Sequence, residues 1–262
     1  MKTIAVLNLK GGVAKTTTAA NLAYELSSFG GTLLIDADKQ GTSTEFFGQY
    51  NADAPAALGE VLCTKNPATL SYASIIMPAL QADGSEHNNL CIMPSNTSLM
   101  RQNIALLLDA TSTGREKRLR RFLARLAADA PSMAYCVVDC APDIDMSSIN
   151  ALMAADLVLV PLTLDKNARK GLAEVWEQIE ASKEDNPGMV ARALITRYRP
   201  DQAEKIDEVA ALALMKTRIR ESTQKVENSN DAGTPLSLSS RWSNAARDYR
   251  ALAQEVREAL DA

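Results

Sequence analysis

Short, nearly continuous apolar runs alternate along this chain with longer segments in which apolar residues recur at helical spacing. The runs predict strands at 3–8, 32–36, 89–94, 134–139, 156–161 and 189–196, with a further one near 214–218. The periodic segments predict helices at 16–29, 97–109, 115–129, 147–154, 168–184, 202–212 and 242–260. Strands that do not alternate with polar residues are buried on both faces, as in a parallel sheet covered on each side. The expected fold class is therefore α/β: a mostly parallel twisted sheet with helices on both faces. Segment 51–90 resists this reading because Pro55, Pro67, Pro78 and the Gly84-Ser85 turn interrupt it. No repeat or linker divides the sequence, so residues 1–262 are expected to form a single domain.

The first run, Ile4-Ala5-Val6-Leu7-Asn8, leads into Lys10-Gly11-Gly12-Val13-Ala14-Lys15-Thr16-Thr17 and then a helix. A strand, a glycine-rich turn and a helix N-terminus hold the phosphates of a nucleoside triphosphate, because backbone N–H groups and the helix dipole both favour negative charge. In such a loop Lys15 reaches the β- and γ-phosphates and the Thr16 hydroxyl holds Mg²⁺. The loop departs from G-x-x-x-x-G-K-[ST], with Leu9 and Ala14 where glycines would stand. Ala14 is expected in a right-handed conformation, which alanine tolerates. Lys10 cannot easily fold back onto the phosphates that its own glycines wrap. It is better placed to cross a dimer interface.

This K-G-G-x-x-K-T-T loop resembles that of the ParA/MinD superfamily of P-loop ATPases, whose usual form has glycine at position 14. The resemblance covers most of the chain and is strongest in 3–50 and 134–176. It implies ATP and Mg²⁺ as the bound groups, with Lys10, Lys15 and Asp38 as catalytic residues. Asp36-Ala37-Asp38-Lys39-Gln40 is similar to the family's D-x-D-x-Q segment, in which the second Asp orients the attacking water. That role falls on Asp38, with Asp36 in support. Cys136-Val137-Val138-Asp139-Cys140-Ala141-Pro142 is similar to the family's magnesium strand. Asp139 there holds the metal through water, so Thr16, Asp38 and Asp139 form the expected metal side. Thr196 and Thr217 are expected near the adenine.

With 28 basic against 32 acidic residues, the net charge of −4 offers no global attraction to nucleic acid, so affinity for DNA must come from clustered side chains. Lys216-Thr217-Arg218-Ile219-Arg220 looks like the family region that leads into a DNA-binding surface. The expected DNA contacts are Arg197, Lys216, Arg218, Arg220, Arg247 and Arg250. Arg115, Arg118, Arg121 and Arg125 fall on one helical stripe opposite Leu119, Phe122, Leu123 and Leu126. That stripe is either a solvated face or a second DNA contact.

No apolar run approaches the roughly 20 residues of a membrane span. The C-terminal residues lack the basic amphipathic pattern of a membrane-associated MinD-like protein. Four cysteines without a metal-site spacing, and His87 in a polar stretch expected to be a solvated loop, exclude a metal-cluster reading. The resemblance then implies a DNA-segregation (partition) ATPase of the ParA type, in a short form without an N-terminal helix-turn-helix. Such a protein is a homodimer with ATP, binds DNA non-specifically, answers to a centromere-binding ParB-like adaptor and is cytoplasmic and nucleoid-associated. The alternatives are a relative that positions a protein assembly and a metabolic ATP-dependent enzyme of the same fold.

Overall fold

The computed structural model describes residues 1–66, 69–109, 113–165, 168–209 and 212–261. Seven strands, β1 Lys2–Val6, β2 Gly31–Ala37, β3 Met77–Leu80, β4 Glu86–Met93, β5 Met133–Cys140, β6 Leu157–Leu162 and β7 Val190–Ile195, form one sheet in the order β3-β4-β2-β5-β1-β6-β7. All pairings are parallel except β3 with β4. The strand expected near 214–218 is reduced to isolated bridges, Ala193 to Leu214 and Tyr198 to Arg220.

The sheet is parallel because its central strands are apolar on both faces. Along β1, Ala5 packs into one core while Ile4 and Val6 pack into the other; along β2, Leu33 and Ile35 oppose Leu34 in the same way. One core lies under α3 Ala57–Cys63, α4 Ser98–Leu108, α5 Arg118–Asp129, α6 Met146–Ala154 and α7 Ala168–Lys183. The other lies under α1 Lys15–Ser27 and α10 Asn244–Asp261. Three short helices, α2 Thr42–Phe46, α8 Thr223–Asp231 and α9 Leu236–Ser239, complete this side.

Several elements were not legible in the pattern. β3 lies in the proline-interrupted segment and sits at the sheet edge, where Pro78 costs no ladder bond on the outer side. Residues 200–209 form a 3₁₀-helix in place of the expected start of an α-helix; Pro67 and residues 210–211 lie outside the described residues. His87 is not a solvated loop residue. It is buried on β4, edge-on to Tyr24 at 5.5 Å and Phe47 at 5.6 Å, and its Nε2 has no partner. Burial pushes its pKa down.

Candidate nucleotide site

The site collects at the C-terminal ends of β1, β2 and β5, where an open parallel sheet leaves its crevice. The loop after β1 ends at Ala14, and α1 then starts with no side-chain cap and no acidic residue in its first turn. An uncapped helix start leaves backbone N–H groups that an anion can satisfy. Gly12 has φ +76°, and an added Cβ at Gly11 or Gly12 would meet nothing within 4 Å, so open space lies beside both glycines.

Ala14 corrects the sequence expectation. Its backbone is left-handed, at φ 65° and ψ 35°, and not right-handed. An L-residue there carries a strain of about 1–2 kcal/mol that glycine escapes.

Lys15 Nζ donates to Lys10 O at 3.0 Å, folding back over the loop. Burial pulls its pKa down, and the Asp139 and Asp38 carboxylates oppose that shift. The Lys10 ammonium pairs with Asp165, which also accepts from Thr163 Oγ1 at 2.7 Å. Lys10 is therefore held by its own chain, on a half-exposed ion pair of small strength.

The acidic residues stack across two strands. The β2–β5 register places Asp36 directly opposite Asp139. Asp36 accepts from Thr44 N at 2.8 Å, Thr44 Oγ1 at 2.7 Å and Asp38 N at 3.1 Å, so it props the loop that carries Asp38. Burial, and then the facing Asp139 charge, pushes its pKa up. Asp139 accepts from Ser43 Oγ at 2.7 Å through Oδ2 and is hydrogen-bonded by Thr16. Its Oδ1 is buried without a partner. Burial raises the Asp139 pKa, while Ser43 and Thr16 hold it down. Asp38 is half-buried and accepts from Gln40 N at 3.0 Å. Lys39 reaches Asp143 at 3.1 Å, joining this loop to the one after β5.

An orphaned buried carboxylate oxygen beside a threonine hydroxyl and a lysine is a donor set that suits a hard divalent cation with water in its shell. Thr16 and Asp139 could therefore hold Mg²⁺.

Beside the loop a cavity of ≈ 120 Å³ is walled by Ala14, Thr17, Arg197, Arg220, Val226 and Asn230. A second space of ≈ 380 Å³ borders Thr16, Thr17, Thr42 and Asn230. Helix α8 thus walls both spaces, a contribution the sequence pattern did not suggest. Thr196 reaches this wall, but its hydroxyl is spent on Val13 O at 3.1 Å and Leu162 O at 3.0 Å, so it fastens the phosphate loop. Thr217 lies apart from the walls of both spaces, with its N–H on Glu255 Oε2 at 2.8 Å. Lys216 N binds the other oxygen of Glu255 at 2.5 Å.

The arginines divide into committed and exposed. Arg220 is committed, with Nε and Nη2 on the two oxygens of Asp248 at 2.9 and 2.6 Å. Arg250 donates to Arg241 O at 2.8 Å. Arg197, Lys216, Arg218 and Arg247 remain exposed, with Arg218 over the Tyr198 ring at 5.3 Å. The 115–125 stripe is not a free basic face. Arg118 is buried with Nη1 on Leu62 O, Arg115 binds three carbonyls at the end of α4, and Arg125 pairs with Asp129 at 3.3 Å. Helix α10 ties the regions together, since Tyr249, Asp248 and Glu255 touch Thr18, Arg220 and 216–217 in turn.

A parallel α/β sheet, an uncapped loop–helix junction and a two-strand acidic floor define a P-loop nucleotide hydrolase with a deviant loop. The comparisons agree. A family model described as an AAA domain matches residues 1–190. The chain is 31% identical over 80% of its length to the chromosome partitioning protein ParA of Caulobacter vibrioides, covering 74% of that protein. It is 29% identical to the sporulation initiation inhibitor protein Soj of Bacillus subtilis, covering 97% of this chain and 98% of that one. Among solved structures, the cobyrinic acid a,c-diamide synthase of Mycobacterium smegmatis with bound ADP and magnesium aligns with a TM-score of 0.80 and 26% identity, over 100% and 96% of the two chains. The chain belongs to the ParA-type family of P-loop ATPases. It is an ATPase that uses ATP and Mg²⁺.

Proposed function

We propose that this ATPase is a nucleotide-switched homodimer that binds DNA without sequence preference and positions a plasmid or chromosome as cargo. One observation carries the reading: Lys10, the extra lysine of the loop, rests on a half-exposed ion pair with Asp165. Exchange of that pair for a partner subunit's phosphates removes one weak contact and supplies a strong one. Relatives named for chromosome partitioning support the DNA cargo.

Magnesium, when bound, neutralises charge on the phosphate oxygens. Lys15 supplies the fixed counter-charge and the N–H groups of the first α1 turn orient the phosphates. Asp38, held forward by Asp36, orients the attacking water. Lys10 completes the site in trans. The exposed Arg197, Lys216, Arg218 and Arg247 contact phosphates. Arg220 and Arg250 serve that surface through their protein contacts. A ParB-like adaptor stimulates turnover, and the working place is the nucleoid. Among the described residues no helix is long and apolar enough to cross a membrane.

The test is binding to unrelated duplexes with ATP, ADP and no nucleotide. Binding is expected only with ATP and equally on each sequence. A dimer neutralising about six phosphates gives a log–log salt slope near −5. Lys216→Ala with Arg218→Ala should make the slope shallower and leave basal ATPase intact. Unchanged DNA affinity in that double variant, or no DNA binding with ATP, moves the metabolic reading ahead, consistent with the fold shared with the diamide synthase.

A further inference from the structure

Helix α4 carries one charged residue, Arg101, in Ser98-Leu99-Met100-Arg101-Gln102-Asn103-Ile104-Ala105-Leu106-Leu107-Leu108. Its inner face is well used: Leu99, Asn103 and Leu106 are buried. Its outer face is not. Met100 is 50% exposed, Ile104 50%, Leu107 58% and Leu108 75%. Positions 100, 104, 107 and 108 lie on one helical face, so they form a continuous stripe and not scattered surface apolar residues.

The margin of the stripe is basic. Arg101 is exposed beside it. At its C-terminal end Arg115 binds Leu106 O at 3.1 Å, Leu107 O at 2.8 Å and Asp109 O at 3.2 Å. Arg101 stands exposed where a partner's carboxylate would meet it.

We propose that the outer face of α4 docks an amphipathic helix of a protein partner, aliphatic along one stripe and acidic along its edge. A second copy fits poorly. The stripe offers a few hundred Å², below the roughly 800 Å² per partner of a stable dimer. A two-fold pairing would also set the basic margin against itself. A lipid surface fits poorly because the stripe has no aromatic residue and a single lysine or arginine within the helix. Helix-in-groove recognition needs this spacing of aliphatic anchors.

The same helix is wired to the nucleotide site. Asn103 Nδ2 donates to Asp145 at 2.7 Å and Asn103 Oδ1 accepts from Ser147 at 2.9 Å. Asp145 caps α6 through Ser148 N at 2.9 Å and ends the loop that follows Asp139. A helix seated on α4 therefore presses on an element that shares a loop with the acidic floor.

The experiment measures fluorescence anisotropy of a labelled synthetic helix of leucine, alanine and glutamate on the full chain. A lysine version and a scrambled acidic version serve as controls. The acidic helix should bind, and Ile104→Asp with Leu108→Asp should weaken it about tenfold or more without altering basal ATPase. Arg101→Glu should weaken the acidic helix and tighten the lysine version. Four results overturn the proposal. The acidic helix fails to bind, or binds no better than the scrambled one. The variants bind as the wild type does. Wild-type self-association in sedimentation is abolished by Ile104→Asp with Leu108→Asp, which assigns the face to a second copy. Anionic vesicles pellet the wild type and not that variant, which assigns it to lipid.

Discussion

Ala14→Gly isolates the backbone strain at the start of α1. At φ 65° and ψ 35° the alanine Cβ crowds its own carbonyl, at a cost of about 1–2 kcal/mol. Glycine removes this but gains freedom in the unfolded chain, which returns about 0.4–1 kcal/mol. The net expectation is a gain of about 0.5–1 kcal/mol. At roughly 2–4 °C per kcal/mol for a domain of this size, the melting temperature rises about 1–4 °C. Ala14→Val is the opposing arm, because a β-branched residue is far less tolerant of positive φ. It should melt below the wild type. Differential scanning calorimetry without nucleotide reads both, and urea unfolding gives the free energies. A glycine variant that melts at or below the wild type, or a valine variant that matches it, would refute the left-handed strain at this position.

Lys15→Ala should abolish ATP binding in calorimetry, whereas Lys10→Ala should bind ATP yet stay monomeric with it in size-exclusion chromatography. A Lys10 variant that dimerises and turns over normally removes the trans role. Asp38→Ala should lower turnover about 10²-fold or more while retaining the ATP-bound dimer, as for loss of a positioned catalytic group; intact hydrolysis would hand the water to another residue. His87→Phe probes the buried imidazole. Because burial lowers its pKa below 6.5, the unfolded chain takes up the proton first and wild-type stability falls as the pH drops through that range. The melting temperature of His87→Phe relative to wild type should therefore climb between about pH 7.5 and 5.5. A pH-independent difference would show that His87 titrates alike in the folded and unfolded chain, so that burial does not lower its pKa.

The phosphate loop, the strands carrying Asp36 and Asp139 and the α/β layering were legible because each is a local pattern: an apolar run, a glycine pair, a helical period. What stayed hidden depends on contacts distant in sequence. Nothing in the spacing of Asp36 and Asp139 places them on one rung, since that follows from which strands pair. The right-handed expectation at Ala14 failed because residue preference describes alanine on average, and here the loop dictates the backbone. The arginines of 115–125 read as either a solvated face or a second DNA contact, yet Arg118 and Arg115 cap carbonyls of α3 and α4 that no periodicity reveals. His87 looked solvated from its polar neighbours, but alternation along β4 turns it inward between two rings.

Helix α10 holds two surfaces with one rod. Tyr249 meets Thr18 on the helix that opens at the phosphates, and the carboxylates of Asp248 and Glu255 pin the segment that displays Lys216 and Arg218. A stiff helix cannot shift at one of these points and stay still at the others. The nucleotide end and the basic end therefore share a single mechanical frame. Damage to Asp248 or Glu255 therefore loosens both at once.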